Sequence, residues 1–250
     1  IGLRIELGAD ARNPGIHAEE DFIKGAIEVQ DEGSQLAALL SAAKPGEQVL
    51  DYCAGGGGKT IAMAAMMENK GQIFAHDVDG RRLSALIPRM DRAGIRNVQL
   101  RHPKENASLD DLVGKMDLVM IDAPCTGVGT WRRKPDAKWR VSEGALKKRI
   151  EDQATILRTA CTYVKPGGRL VSVTCSFLME ENEDQVASFL IDRDDFTMDD
   201  AAEAAVRSGQ LTDVGAKLAR KCRRPDGSLR LTPRSAGSDG FFVAVMRRVG

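Results

Sequence analysis

The chain lacks several features that would assign it to a specialised class of protein. Its 36 basic and 36 acidic residues cancel, so no net charge indicates a polyanionic partner and any basic surface must be local. No apolar run approaches the roughly 20 residues that a membrane-spanning helix needs, so no membrane partner is expected. With 42% apolar residues and zero net charge, the 250-residue chain also lacks the composition of a disordered protein. What remains is a folded protein with a sizeable core.

Closely spaced cysteines are missing as well. The five cysteines are odd in number and widely separated, and no CxxC or CxxH pair occurs, which argues against a zinc site or any other metal site of that kind. No signal peptide is evident, so we expect a cytoplasmic protein whose thiols stay reduced. The cysteines are Cys53, Cys125, Cys161, Cys175 and Cys222.

Short apolar segments alternate with helical patterns over most of the chain. Strands are predicted at 48–52, 72–76, 97–100, 117–121, 169–173 and 240–248. Helices are predicted at 34–43, 60–68, 81–93, 142–164 and 181–192. Alternation at this spacing predicts an α/β fold with a doubly wound, mostly parallel sheet. In such a sheet the ligand lies outside the carboxyl ends of the strands, so the polar residues at those ends are the candidate site.

The glycine-rich turn 51–60 (DYCAGGGGKT) follows the first predicted strand and permits two interpretations. Its last residues match the end of the phosphate-binding pattern GxxxxGK[ST], which would make the chain a nucleotide hydrolase with Lys59 on phosphate and Asp122 on magnesium. That pattern requires glycine where the chain has Cys53. Alternatively, the turn is a methyltransferase loop whose glycines let the backbone approach the amino-acid part of S-adenosylmethionine.

Acidic and thiol groups follow three further strands. Asp77, after the second strand, is placed to accept hydrogen bonds from both ribose hydroxyls of a nucleoside cofactor. Asp122 and Cys125 follow the strand at 117–121 within the segment Asp-Ala-Pro-Cys, which can hold a pyrimidine edge beside a thiol. Cys175 follows the next strand, which is adjacent in the usual doubly wound order. The two thiols are therefore predicted to face one cleft.

Basic residues are concentrated in two segments although the whole chain is neutral. Residues 131–149 contain eight basic and two acidic residues, and residues 217–234 contain seven and one. Trp131 and Trp139 bracket the centre of the first segment. Because basic side chains hold phosphates and aromatic rings stack on bases, this first segment is a candidate nucleic-acid contact. For the second segment, ordinary solvated surface is an equally good interpretation.

Taken together, these motifs resemble the bacterial RNA 5-methylcytosine methyltransferases of the Sun/Fmu type. The resemblance covers residues 22–250, and its most specific part is the proline-cysteine motif followed by the threonine-cysteine motif. The motifs that carry it are VQDEGSQLAALL, DYCAGGGGKT, DAPCTGVGTWRRKPDAKWR, VTCSFLMEENEDQV and DGFFVAVM. It implies a seven-stranded Rossmann-like class I methyltransferase sheet with helices on both faces at 34–250. Residues 1–33 would then be the end of an upstream RNA-binding domain.

The resemblance also implies a mechanism with two cysteines. Cys175 would add to carbon 6 of a cytosine and so activate carbon 5, and Cys125 would assist release of the product. Asp122 would hydrogen-bond the polar edge of the base. In a variant of this mechanism Cys125 is the nucleophile, as in DNA cytosine methyltransferases, but the presence of the threonine-cysteine motif argues against it.

Cofactor and RNA contacts are carried over in the same way, with S-adenosylmethionine as the cofactor and a monomer as the expected state. The implied cofactor-binding residues are Cys53, Ala54, Gly55, Gly56, Gly57, Gly58, Lys59, Asp77 and Asp122. The implied RNA-binding residues are Arg132, Arg133, Lys138 and Arg140. Ribosomal RNA is the expected substrate and transfer RNA the alternative. A non-catalytic RNA-binding or ribosome-assembly protein with the same fold is a further alternative.

The chain departs from the family pattern at two places. Gly56 replaces the proline that the family has in its glycine loop, which predicts a more flexible loop. After the third strand the family has an aspartate near the adenine, and here Glu105 or Asn106 would have to replace it.

Overall fold

A single mixed sheet organises the protein. The computed structural model describes residue 2 and residues 15–103 and 108–250. Within this part the strands are β1 Gln48–Asp51, β2 Gln72–His76, β3 Val98–Arg101, β4 Met116–Asp122, β5 Val164–Thr174, β6 Phe196–Asp199, β7 Leu229–Leu231 and β8 Phe241–Arg248. The helices are α1 Glu20–Ile23, α2 Glu32–Leu40, α3 Gly58–Met66, α4 Gly80–Ser84, α5 Ile87–Arg92, α6 Glu143–Ala160, α7 Glu183–Asp192, α8 Ala201–Arg207, α9 Asp213–Cys222 and α10 Pro233–Ala236.

Seven strands follow one path across the sheet, in the order β3-β2-β1-β4-β5-β8-β6. Strands β1 to β5 pair in parallel, and β8 runs antiparallel to both of its neighbours on this path. The three-residue strand β7, an eighth strand beyond the seven expected, pairs with the first residues of β8. Strand β6 pairs with the last residues of β8, so β6 and β7 together cover one edge of β8.

Alternating side chains build a core on each face of the sheet. On β1, Val49 packs with α2, α3, α8 and α9, whereas its neighbour Leu50 packs with α6 and α7 on the opposite face. The same alternation runs along β8, where Val243 and Ala244 belong to different cores. Helices on both faces and central parallel strands confirm the doubly wound α/β fold.

Several predicted element bounds differ from the structure, and proline explains one of them. The helix predicted at 81–93 is two helices, α4 and α5, because Pro88 lies in the first turn of α5 and cannot continue a preceding helix. The helix predicted at 142–164 ends at Ala160, and Val164 already begins β5. The elements absent from the prediction are α1, α8, α9, α10, β6 and β7.

Residues before the sheet pack closely against it. Asp31 caps α2 by accepting hydrogen bonds from the backbone N–H groups of Gly33 and Ser34, so this helix begins two residues before the predicted start. Glu28 forms ion pairs with Arg89 and Arg92 of α5. Among the described residues, none of the helices combines the length and apolar character needed to span a membrane.

The strand order determines where a ligand can bind. From β1 the chain continues to β2 on one side, while β4 pairs with β1 on the other side. The connections therefore leave in opposite directions at this point, and a crevice forms outside the carboxyl ends of the strands. The segments that follow β1, β2, β4 and β5 all meet at this edge.

Candidate active site

The glycine loop between β1 and α3 requires glycine at particular positions. Gly55 and Gly57 have φ values of +54° and +79°, in the left-handed region that other residues rarely adopt. A Cβ atom on Gly57 would lie 2.1 Å from Cδ1 of the buried Leu86. By contrast, a Cβ on Gly56 would come no closer than 3.6 Å to the Arg89 guanidinium. The loop thus presents bare backbone at the amino end of α3.

Asp77 links this loop to the end of β2. Its side chain is only 4% exposed, and Oδ2 accepts a hydrogen bond of 2.8 Å from the Gly55 N–H. Its Oδ1 accepts another of 2.8 Å from the Asp79 N–H. A carboxylate has about four acceptor sites, so Asp77 retains capacity for the hydroxyl donors of a ribose.

Asp51 lies buried beneath the same loop. Thr60 Oγ1 donates a hydrogen bond of 2.6 Å to Asp51 Oδ2, and Oδ1 has no hydrogen-bond partner within the described part of the chain. Burial raises the pKa of Asp51 to about 7, with Asp122 and Asp77 adding to the rise and the Thr60 hydrogen bond and Lys59 opposing it. In the sequence, the only sign that Asp51 belongs to the site is its position at the end of a predicted strand.

Lys59 joins the glycine loop to the thiol-bearing loop. Its ammonium Nζ is 2.7 Å from Asp122 Oδ2 and 5.2 Å from the centre of the Phe241 ring. The lysine is 6% exposed, whereas the Asp122 side chain is 37% exposed to the crevice. A hydrolase with Lys59 on phosphate and Asp122 on magnesium would have to break this ion pair.

Cys125 and Cys175 meet at the carboxyl ends of β4 and β5. Their sulfur atoms are 3.4 Å apart. The hydrogen bond from Cys125 is the largest influence lowering the pKa of Cys175, and the Lys59 ammonium lowers it further. The same hydrogen bond, together with burial, raises the pKa of Cys125. Of the two thiols, Cys175 is therefore the more readily ionised.

Buried polar groups that the sequence analysis did not single out hold the two thiol loops. The Glu181 carboxylate, 2% exposed, accepts hydrogen bonds of 2.7 Å and 2.6 Å from the backbone N–H and hydroxyl of Thr126. Gln153 of α6 donates to the Pro124 carbonyl at 3.0 Å. The Cys175 carbonyl accepts a 3.0 Å bond from Gly129 N–H, so the loops are also joined directly.

Asn182 fixes the segment that follows Cys175. Its Oδ1 accepts the Thr174 hydroxyl hydrogen, and its Nδ2 donates to the Ser176 carbonyl at 3.1 Å. Glu181 and Asn182 lie just before α7, whereas the sequence pattern predicts that the helix begins at residue 181. Nothing in the local pattern distinguishes these buried groups from their exposed acidic neighbours.

The predicted RNA-binding residues fall into two sets. Arg132 and Arg133 form ion pairs with Asp31 and with the fully buried Asp239. By contrast, Lys138 and Arg140 lie exposed in a 3-10 turn. The structure therefore places two of the four arginine and lysine side chains against internal acids.

The second basic segment is largely neutralised within the fold. Arg220 pairs with Glu203 and Arg223 with Asp200, at 2.7 Å and 2.5 Å. Arg224 and Arg230 both pair with Glu183. Four of its seven basic residues thus act within the protein, which favours the interpretation as ordinary surface.

The other predicted positions are peripheral to the thiol pair. Cys53 and Ala54 open the glycine loop, and burial raises the pKa of the Cys53 thiol. Cys161 and Cys222 are buried, with the Cys161 thiol donating to the Arg158 carbonyl. Glu105 and Asn106 lie outside the described residues.

Comparisons with known proteins give one consistent result. A sequence profile of the family described as 16S rRNA methyltransferase RsmB/F matches residues 38–247. The probable ribosomal RNA small subunit methyltransferase B of Synechocystis sp. is 32% identical over 250 residues, which cover 99% of this chain and 52% of the relative. The protein of the same description from Bacillus subtilis is 32% identical over 232 residues, or 92% of this chain and 49% of the relative. The chain spans about half the length of these curated relatives.

Solved structures agree with the sequence relatives. The crystal structure of PH0851 superposes with a TM-score of 0.81 at 32% identity, covering 95% of this chain and 50% of that one. The crystal structure of NSun6 from Pyrococcus horikoshii with SFG, an analogue of S-adenosylmethionine, superposes with a TM-score of 0.77 at 26% identity. That match covers 95% of this chain and 57% of the other. The profile, the relatives and the shared fold show that the chain belongs to the RsmB/F family of 16S rRNA methyltransferases.

Proposed function

We propose that this chain is the methyltransferase unit of an enzyme that methylates carbon 5 of a cytosine in RNA. The observation that carries the proposal is the pair of thiols 3.4 Å apart, one of lowered and one of raised pKa, beside the Lys59–Asp122 ion pair. Methylation at this carbon needs a nucleophile and a second group that assists release. Neither thiol has a purpose in nucleotide hydrolysis. We also infer that residues 34–250 form the methyltransferase unit.

S-adenosylmethionine is the methyl donor in methyltransferases of this fold, and the residues of the crevice fit it. The Asp77 carboxylate suits the ribose hydroxyls, since it keeps unused acceptor sites. The bare backbone of the glycines at 55–58 leads into the amino end of α3, where a helix attracts a carboxylate such as that of the methionine part. Asp122 lies between this loop and the thiols.

Cys175 supplies the nucleophile in this proposal. Its thiolate adds to carbon 6 of the cytosine, a sulfur–carbon bond forms, and the ring electrons shift so that carbon 5 becomes nucleophilic. Asp122, which reaches into the crevice, hydrogen-bonds the polar edge of the base. The cytosine must lie in a single strand or be flipped out of a duplex to reach the sulfur.

Cys125 completes the reaction by a change in its own acidity. The hydrogen bond with Cys175 is what most strongly raises its pKa, and the negative charge on that sulfur disappears once Cys175 is bonded to carbon. After carbon 5 has received the methyl group, Cys125 can ionise to solvent and take the remaining proton from carbon 5. The electrons of the broken C–H bond restore the ring double bond and expel Cys175 as thiolate. The proposed steps thus give a reason for the direct contact between the two sulfur atoms.

Small-subunit ribosomal RNA is the proposed substrate, because the curated relatives are described as ribosomal RNA small subunit methyltransferases. The test incubates the chain with S-adenosylmethionine and that RNA, and measures 5-methylcytidine by mass spectrometry of nucleosides. We expect Cys175→Ala to lower the rate at least about 1,000-fold, as loss of a nucleophile does elsewhere. Cys222→Ala is the matched control, because Cys222 lies in the core away from the crevice.

Three results would change the proposal. Full activity of Cys175→Ala would show that the nucleophile is misassigned. Methylation of transfer RNA in place of ribosomal RNA would keep the chemistry and replace the substrate. Tight RNA binding without methyl transfer to any RNA would instead support a non-catalytic assembly protein.

A further inference from the structure

One of the two tryptophans stands exposed on the surface, in the turn that follows the loop of Cys125. Trp139 is 79% exposed in the 3-10 turn Pro135–Arg140. Trp131, by comparison, is half-buried and packs edge-on against Phe177, with ring centres 6.3 Å apart. The exposed indole presents a large aromatic face on which the base of a nucleic acid can stack.

The cations near Trp139 are the ones that the fold leaves without an acidic partner. In segment 131–149 five of the eight basic side chains form ion pairs, namely those of Arg132, Arg133, Lys147, Lys148 and Arg149. Lys134, Lys138 and Arg140 form no ion pair with any described residue, and all three are exposed. The Lys138 ammonium lies 4.6 Å from the centre of the Trp139 ring. Asp136 is the one acid in this turn.

Hydrogen bonds connect this turn to the thiol loops. Gly129 N–H donates to the Cys175 carbonyl at 3.0 Å, and the Thr130 carbonyl accepts 2.9 Å bonds from both Arg133 and Lys134 N–H groups. Lys134 in turn accepts from the Ala137 N–H at 3.0 Å. The position of Trp139 relative to Cys175 is therefore set by a continuous series of backbone contacts.

We propose that Trp139 is a stacking platform for an unpaired base of the RNA strand, next to the target cytosine, with Lys134, Lys138 and Arg140 on the flanking phosphates. This inference rests on the proposed function, since it takes RNA as the substrate. An exposed ring among unpaired cations matches the general design of single-strand sites, in which bases stack on aromatics and the backbone lies along basic side chains. A protein partner would leave these three cations without a purpose.

Fluorescence provides a direct test, because Trp131→Phe leaves Trp139 as the only tryptophan of the chain. This variant is titrated with an eight-nucleotide single-stranded RNA and with an abasic strand of equal length and charge. We expect the RNA to quench Trp139 emission and the abasic strand to bind by anisotropy with little quenching. Equal emission changes with both strands, or no change on RNA binding, would overturn the proposal. Absence of any RNA binding at low salt would overturn it too.

Binding by variants separates stacking from charge. We expect Trp139→Ala to raise the Kd for the oligonucleotide about tenfold or more and Trp139→Phe to change it much less. Lys138→Ala should weaken binding, whereas Lys147→Ala should not, because Lys147 is already paired with Glu143. Unchanged S-adenosylmethionine affinity shows that each variant is folded. An unchanged Kd for Trp139→Ala would contradict the proposal.

These binding results are independent of catalysis, so the two proposals can fail separately. Quenching without 5-methylcytidine in any RNA would support the platform and reject the proposed function. Methylation with no effect of Trp139→Ala on Kd or on the KM for RNA would support the proposed function and reject the platform.

Discussion

Two chemically identical thiols acquire different roles from the groups that each one faces. Cys175 accepts a hydrogen bond and lies near an ammonium, both of which stabilise a negative charge on its sulfur. Cys125 faces Cys175 and the Glu181 carboxylate, which together with burial raise the pKa of its thiol. The surroundings of the two sulfurs therefore support the proposed assignment of Cys175 as the nucleophile and Cys125 as the release group, which the sequence motifs suggest independently.

Alkylation of Cys175 measures this difference. Because only the thiolate reacts, the rate with iodoacetamide rises with pH through the pKa of Cys175. Cys125→Ala removes the donor that most lowers that pKa, so we expect slower alkylation at pH 7 and an equal rate well above the pKa. Peptide mass spectrometry gives the rate at each site, with the buried Cys222 as the internal control. A profile that does not move would contradict the assignment.

Asp51 is expected to make stability depend on pH. Its pKa is about 7 in the folded protein and near 3.8 when unfolded, so the folded state holds the proton more tightly and loses stability as pH rises through this window. The loss amounts to up to about 4 kcal/mol above pH 7. The Asp51→Asn side chain cannot ionise, so this variant should not show that loss of stability. Urea unfolding from pH 4.5 to 7.5 should show that the free energy of unfolding of the variant rises relative to that of the native chain. The same pH dependence in both proteins would contradict the raised pKa.

Residue-level prediction succeeded where strand ends carry unusual groups. The sequence placed both thiols and Asp122 at the carboxyl ends of neighbouring strands, and the structure brings these residues together. Glu181 and Asn182 escaped notice because an acidic stretch before a helix is usually solvated, and only tertiary packing buries these two. The ion pairs of Arg132 and Arg133 could not be predicted from the sequence, because the acids that they meet are about 100 residues away in the chain.

Among the elements of the fold, the glycine loop is the one whose conformation depends most on the absence of side chains. Gly57→Ala would put a methyl group into Leu86 at a left-handed position, so we expect the Kd for S-adenosylmethionine to rise at least about tenfold. Gly56→Ala, one residue away, would make only an ordinary van der Waals contact with Arg89 and should change the Kd less than about threefold. Calorimetric titration of both variants is the measurement. Equal losses of S-adenosylmethionine affinity in the two variants would show that loop flexibility, not the required conformation, governs binding.

Element prediction was accurate for β1, β2, β3 and β4 and missed the two short strands, β6 and β7, that pair with β8. β1, β2 and β4 are continuous apolar runs that end in polar residues, and this pattern can be recognised without knowledge of the fold. β6 and β7 have four and three residues and pair only because β8 offers a free edge. Strands this short carry too few residues for their sequences alone to distinguish them from loops.

Over the whole molecule, many basic residues form ion pairs with acidic ones. Most of the arginines in both basic segments pair with acids, and in segment 131–149 the cations that form no ion pair with a described residue are Lys134, Lys138 and Arg140. We therefore expect RNA binding by this chain to depend only moderately on salt. About three phosphate contacts give a slope of log K against log salt near −2 for a single strand.

Fluorescence anisotropy at several potassium chloride concentrations gives that slope. Eight contacts, the full basic content of 131–149, would produce a slope steeper than about −5. A slope that steep would mean that Arg132 and Arg133 leave their acids to bind phosphate.

The central claim is that Cys175 forms the covalent bond to cytosine and Cys125 permits its release. Cys125→Ala incubated with the RNA and S-adenosylmethionine should accumulate a protein–RNA adduct that survives denaturation, and peptide mass spectrometry should locate the nucleotide on Cys175. The double variant Cys125→Ala/Cys175→Ala should form none. An adduct that instead accumulates on Cys125 in the Cys175→Ala protein would reverse the two roles and contradict the account.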